Sequence, residues 1–241
     1  MLQALLHSKL YTAMDVAKFQ PSEDTKTSST LGVLQYLPDE MFWNIMCKAC
    51  RDHSFPIFSE VGAIIDFHFW DKLNAQDTGN KISVELDVWI ETENYRIIIE
   101  AKKDDGRGQY ENQWKKEIKA LANEYGRDKK FILIALGGNK SLESLSDKNI
   151  GTCVFKITWY ELLHAVVEQL PSSKSRANQR ILQDVIDGFA AHKVVDVQWL
   201  DSWCYGRIES SYRELYWKPE FLSNLYHKTI LKRTIAWNRM N

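Results

Sequence analysis

Apolar and polar residues alternate through Ile82-Ser83-Val84-Glu85-Leu86-Asp87-Val88-Trp89-Ile90. This period of two predicts a strand with Ile82, Val84, Leu86, Val88 and Ile90 on a buried face and Ser83, Glu85, Asp87 and Trp89 on the other. A second β-type run, Tyr95 to Lys102, follows after Glu91-Thr92-Glu93-Asn94, a polar stretch that reads as a hairpin loop of about four residues. Further strands are predicted near 61–70, over Phe131 to Leu136 up to Gly137-Gly138, and over Thr152 to Ile157. Trp114, Ile118, Leu121 and Tyr125 recur at helical spacing and predict a helix over 109–125. Leu31, Leu34 and Leu37 behind Ser22 predict an early helix over 23–36. Other helices are expected at 11–17, 39–52, 159–170 and 176–191. Helices before a mixed sheet, with a crossover helix joining its later strands, define a three-layer α/β arrangement.

The chemistry gathers where the first two of these strands meet. Residues two apart on a strand share a face, so Glu100 and Lys102 point the same way. Pairing across the hairpin brings Asp87 near Glu100. Two close carboxylates repel unless a proton or a divalent cation neutralises them, and hard oxygen donors suit Mg²⁺ or Mn²⁺. The plain alternative is a solvated same-face Glu100–Lys102 ion pair at a strand end, an arrangement worth little energetically.

An aspartate, a hairpin, Glu100-Ala101-Lys102 closing an apolar strand and a helix beginning near Gln109 together resemble the PD-(D/E)XK nuclease superfamily, the fold of many restriction and repair endonucleases. Leu86 stands where the name-giving pattern has proline. The resemblance covers residues 20–192 and implies a restriction endonuclease-like α/β/α core with a mixed central sheet. It implies that Asp87 and Glu100 bind Mg²⁺ or Mn²⁺ with the Ala101 carbonyl as a further ligand, and that Lys102 acts on the water or the phosphate. It also implies a helix glutamine reaching the site, Gln113 ahead of Gln109, and an acid on the first helix, Glu23 with Glu60 as its rival. The function implied is metal-dependent phosphodiester hydrolysis with DNA as substrate, and double-strand cleavage would call for a homodimer. The alternative is a catalytically silent relative of the same fold, acting as a nucleic-acid-binding or assembly protein.

Composition adjusts this picture. The chain has 241 residues, 44% of them hydrophobic and 12% aromatic, enough for one sizeable core. The division expected is a nuclease-like domain over 1–192 and an extension over 193–241 packed on the core or at an oligomer interface. No apolar run approaches the roughly 20 residues needed to span a bilayer and nothing resembles a signal peptide, so a cytoplasmic protein without a membrane partner is expected. The net charge of −1 argues against phosphate binding unless the bases cluster. They do: Lys102, Lys103, Arg107, Lys115, Lys116 and Lys119 follow the proposed site, diluted by Glu111 and Glu117. The extension is net basic and aromatic, with Tyr212, Tyr216, Trp217, Phe221, Tyr226 and Trp237 among its bases. Cys47 and Cys50 form a CxxC with no second pair to complete a zinc site, and the six histidines have no paired spacing. Gly137-Gly138-Asn139-Lys140-Ser141 lacks the spacing of a P-loop.

Overall fold

The computed structural model describes residues 22–79, 82–103, 108–141, 143–147 and 152–194. The expected helix at 11–17, the loop residues 104–107 and the aromatic, basic stretch from 195 onward lie outside the described residues. In chain order the elements are α1 (Glu23–Leu34), α2 (Asp39–Ala49), α3 (Phe58–Val61), β1 (Ile64–Asn74), β2 (Ser83–Thr92), β3 (Tyr95–Ala101), α4 (Glu111–Tyr125), β4 (Lys130–Leu136), β5 (Leu145–Asp147), β6 (Thr152–Ile157), α5 (Trp159–Gln169) and α6 (Arg176–Ala191). The fold is mixed α/β. Its sheet runs β1-β2-β3-β4-β6-β5, with β1, β2 and β3 antiparallel, β3, β4 and β6 parallel, and β5 antiparallel to β6.

Helices cover both sheet faces, which is why the central strands read as unbroken apolar runs. On one face Val88, Ile90, Ile97, Ile99 and Ile134 pack against Leu31, Phe42, Trp43, Trp159, Leu182 and Phe189. On the other, Trp89, Ile98, Leu133 and Val154 pack against Trp114, Ile118 and Leu121 of α4. All seven residues of β3 are buried. At 25 cal/mol per Å², each buried Ile or Leu contributes roughly 1.5–3 kcal/mol before conformational entropy is set against it.

Local chemistry sets the helix starts. Ser22 caps α1, its hydroxyl accepting from the Thr25 N–H at 3.1 Å. Thr158 caps α5, with Glu161 completing the capping box.

Two expectations need correction, and two elements were not expected. The hairpin is tighter than four residues: Glu91 pairs with Arg96, so only Glu93 and Asn94 turn between β2 and β3. Thr92 explains this, because its hydroxyl accepts from the Tyr95 N–H at 2.9 Å and donates to the Val61 carbonyl at 3.0 Å, fixing a polar residue inside. The alternation of β2 fails at both ends: Ile82 is 89% exposed and Trp89 is fully buried. Leu86 joins Trp89 in one core while Val88 joins Ile90 in the other, so the strand changes phase at Asp87. Opposite it, Trp70 has φ +54° and no Trp70–Asp87 pair continues the ladder. A phase change of this kind bends a strand and re-aims a side chain. Finally, α3 and the edge strand β5 are too short to leave a periodic signal.

Helices α1 and α6 meet at Gly188, where an added Cβ would lie 2.6 Å from the Ser29 carbonyl oxygen. Gly188→Ala should therefore force α6 off α1 and lower stability by about 1–3 kcal/mol. Denaturant titration checks this, and an unchanged midpoint would contradict it.

Candidate metal centre

The end of β3 is a site because four elements deliver polar groups to it. Asp87 comes from the phase change in β2 and Glu100, Ala101 and Lys102 from the end of β3. Glu23 opens α1, and Gln109 and Gln113 lie before and in the first turn of α4. Asp87 and Glu100 stand opposite each other one step beyond the last ladder pair, Val88–Ile99. There the ladder gives way to a side-chain contact, the Ala101 N–H donating to Asp87 Oδ2 at 2.9 Å.

Lys102 is the hub. Its ammonium donates to Glu100 Oε1 and, at 3.1 Å, to the Ala101 carbonyl. It lies 3.7 Å from Asp87 Oδ2 and 3.9 Å from Glu23 Oε2. One cation thus gathers the three expected ligands and the first-helix acid. Gln113 donates to Glu100 Oε1 at 2.6 Å. Gln109 reaches the same residue by its backbone, donating to the Glu100 carbonyl at 2.9 Å and the Gly137 carbonyl at 3.2 Å, while the Trp114 indole N–H holds its oxygen at 2.8 Å. Both glutamines therefore meet Glu100, one at the carboxylate and one at the main chain. Glu60 is remote: it caps Ile57 in α3 and contacts the hairpin turn through Asn94, at the opposite end of β3.

The Lys102 backbone is clamped as firmly as its side chain. Its N–H donates to the Leu136 carbonyl at 2.8 Å and its carbonyl accepts from the Trp159 indole at 2.7 Å. Gly137, at φ +71°, makes this possible, since a Cβ there would lie 2.2 Å from the Lys102 carbonyl oxygen and 2.6 Å from the indole nitrogen. The glycine pair that fails as a phosphate loop is thus a close-approach point beside the lysine.

Glu117 was missed by sequence reasoning, which counted it among surface charges. It is 1% exposed, and neither carboxylate oxygen has a hydrogen-bond partner among the described residues. It sits one turn beyond Gln113, facing Glu100. The signal was an acid inside the apolar stripe, three residues after Trp114 and one before Ile118.

Burial dominates the electrostatics. It pushes Glu100 up to about 7, with Asp87 adding to the rise and Lys102 opposing it. Burial likewise raises Asp87 against the pull of Lys102. Glu117 is raised well above the carboxylate range, first by burial and then by Glu100. For Lys102, burial acts downward, but Glu100, Asp87 and Glu23 outweigh it and hold the ammonium above its ordinary value. Negative charge is crowded here beyond what one lysine offsets.

Among the described residues no three His, Cys, Asp or Glu side chains converge on a point that could hold a metal ion. The expected set is smaller: two carboxylates and the Ala101 carbonyl. Such a set fits Mg²⁺ or Mn²⁺, which need only one or two carboxylates and keep several waters. The donors are all hard oxygens, and the Lys102 ammonium already draws them around one positive charge. Elsewhere, Cys47 and Cys50 are free thiols, and burial raises both to about 11. No helix among the described residues is long and apolar enough to cross a membrane. Comparison of the chain with family models, curated proteins and solved structures gave no match.

The sign of the pH dependence follows from Glu100. Its folded value, about 7, exceeds its ordinary 4.5, so its stabilising contribution is complete below 4.5 and is lost as pH rises through 7. Cation-free protein should therefore lose on the order of 2–3 kcal/mol between pH 5 and 8. Glu100→Gln should flatten that slope, as read by denaturation in chelator at the two pH values; an equal slope in the variant would contradict the assignment.

Proposed function

We propose that the chain is a metal-dependent nuclease of restriction endonuclease-like fold, cleaving phosphodiester bonds in DNA. The observation that carries the reading is the convergence of Lys102 on Glu100, the Ala101 carbonyl, Asp87 and Glu23. An isolated surface ion pair would need neither a buried second acid nor a backbone clamp. The layering supports it too: a mixed sheet with helices packed on both of its faces, as the PD-(D/E)XK resemblance implies.

In this reading each residue has a physical task. Asp87, Glu100 and the Ala101 carbonyl would hold a divalent cation, which supplies Lewis acidity and charge neutralisation at the scissile phosphate. Lys102 places a fixed positive charge where negative charge grows on the phosphoryl oxygens. Its clamped backbone means that little reorganisation is needed at the moment of attack. Gln113 fixes the Glu100 carboxylate, and Gln109 fastens the ends of β3 and β4. Glu23, beside Lys102, can accept a proton from the attacking water as its oxygen bonds to phosphorus and the bond to the departing sugar oxygen breaks. Lys115, Lys116 and Lys119 on α4 give the neighbourhood the basic surface that a chain of net charge −1 lacks as a whole.

Incubation with supercoiled plasmid and with single-stranded circles, in Mg²⁺, Mn²⁺ or chelator, tests the proposal. Cleavage requiring the cation, with Lys102→Ala and Asp87→Asn each at least 100-fold slower, is expected. Cutting that persists in chelator, or in both variants, would overturn it. Intact DNA in every lane would favour the catalytically silent alternative.

A further inference from the structure

Trp70 is strained and nothing in the packing offsets the strain. Its φ of +54° lies in the left-handed region, where the Cβ of a bulky residue crowds its own backbone. Its neighbours along β1 have clear partners: Phe69 packs against the core of one sheet face, and Asp71 accepts from the Trp89 indole at 3.0 Å on the other. Trp70 itself is half-buried and packs on neither core, with its ring 5.7 Å from that of Phe69. A glycine or asparagine would take this φ with far less crowding. Backbone strain of this kind is concentrated at active sites and ligand clamps.

The register shows which site this is. Phe69 pairs with Val88 and Asp71 with Leu86, so Trp70 stands across from Asp87, where both strands change phase. Adjacent strands lie about 4.8 Å apart, which roots the indole one strand spacing from a carboxylate of the metal centre. β1 is the outermost strand of the described sheet on this side. Its edge is a poor seam for a strand of another chain, because the Asp66 carboxylate accepts the Phe67 N–H at 2.8 Å and the left-handed turn at Trp70 breaks the extended backbone. What remains is a flat aromatic surface beside the position assigned to the scissile phosphate. Of the parts of a nucleic acid, the base is the one with a matching flat face. In a duplex both faces of each base are covered by its neighbours, so such a surface reaches only a base that is unpaired.

We infer that Trp70 is a substrate-contacting residue of the metal centre, whose indole stacks on an unpaired base beside the phosphate held at Asp87, so that single-stranded or locally opened DNA is the preferred substrate. This rests on the nuclease reading above and deepens it by naming the form of DNA. The strained backbone turns the indole out of the sheet to meet the base.

Binding measured apart from cleavage tests this. The probe is a short oligothymidylate with one central 2-aminopurine, whose fluorescence falls on stacking, offered to the full chain in Ca²⁺ as a single strand and as a duplex. Wild type should bind the single strand more tightly than the duplex and quench it. Trp70→Asn should bind the single strand about 5- to 100-fold more weakly, without quenching, and bind the duplex as wild type does. Trp70→Phe, which keeps a flat ring, should restore most of the affinity and the quenching. Asparagine suits a left-handed φ, so Trp70→Asn should unfold at the wild-type temperature or above it. Wild-type affinity and quenching in Trp70→Asn would overturn the inference, and so would a lower unfolding temperature, which would assign the indole to packing; in both cases metal-dependent cutting of plasmid or circles would leave the nuclease reading standing. Wild type that binds neither form of the probe and cuts no DNA would overturn both.

Discussion

A carboxylate removed from water has to be neutralised, and Glu100 is removed from water by the whole architecture. It ends a strand buried along its full length, between a helical layer on one face and α4 on the other. The neighbouring groups can be read as answers to that constraint. Lys102 supplies the positive charge, and Gln113 supplies a donor to the same oxygen. Gln109 takes up the backbone carbonyl that the end of the strand would leave open. Asp87 and Glu117 then run against the logic of stability, placing two further acids out of water where the lysine is already committed. Arrangements that lower stability in this way are found mainly where chemistry requires them.

The fold prepares the site at long range. The parallel strands β3, β4 and β6 end together, and their carboxyl ends are joined by a hydrogen bond from Gln109 to Gly137 and another from the Trp159 indole to Lys102. Gly137 donates its own N–H to Ile157, so the ends of three strands and the start of α5 are fastened around the lysine. The cation–π contact of Lys26 with the Trp159 ring, at 4.9 Å, links α1 to the same point. Glu23, one turn earlier on that helix, thereby arrives beside Lys102 with its helix anchored.

Much of this was legible in the sequence, for definite reasons. Strands buried on both faces are continuous apolar runs, and the Glu100-x-Lys102 spacing fixes a shared face by strand geometry alone. The stripe through Trp114 fixed α4, and so placed Gln113 near the strand end. Other features escaped because they depend on tertiary context. Nothing local marks the phase change at Asp87, which the positive φ of Trp70 on another strand accompanies. The hairpin shortened because a buried Thr92 hydroxyl took backbone partners that a four-residue loop would have left to solvent. Glu117 looked like a surface acid because charge counting weighs residues by type, whereas the helical phase it occupies is that of the core.

The central claim is that the Asp87–Glu100–Lys102 cluster is built to hold a divalent cation. Anomalous diffraction from crystals equilibrated with Mn²⁺ tests it most directly. The account predicts an anomalous peak about 2.1–2.2 Å from carboxylate oxygens of Asp87 and Glu100 and from the Ala101 carbonyl, with the Lys102 ammonium displaced from the ligand oxygens. A featureless anomalous map at the end of β3, with Lys102 still seated among the carboxylates, would contradict it.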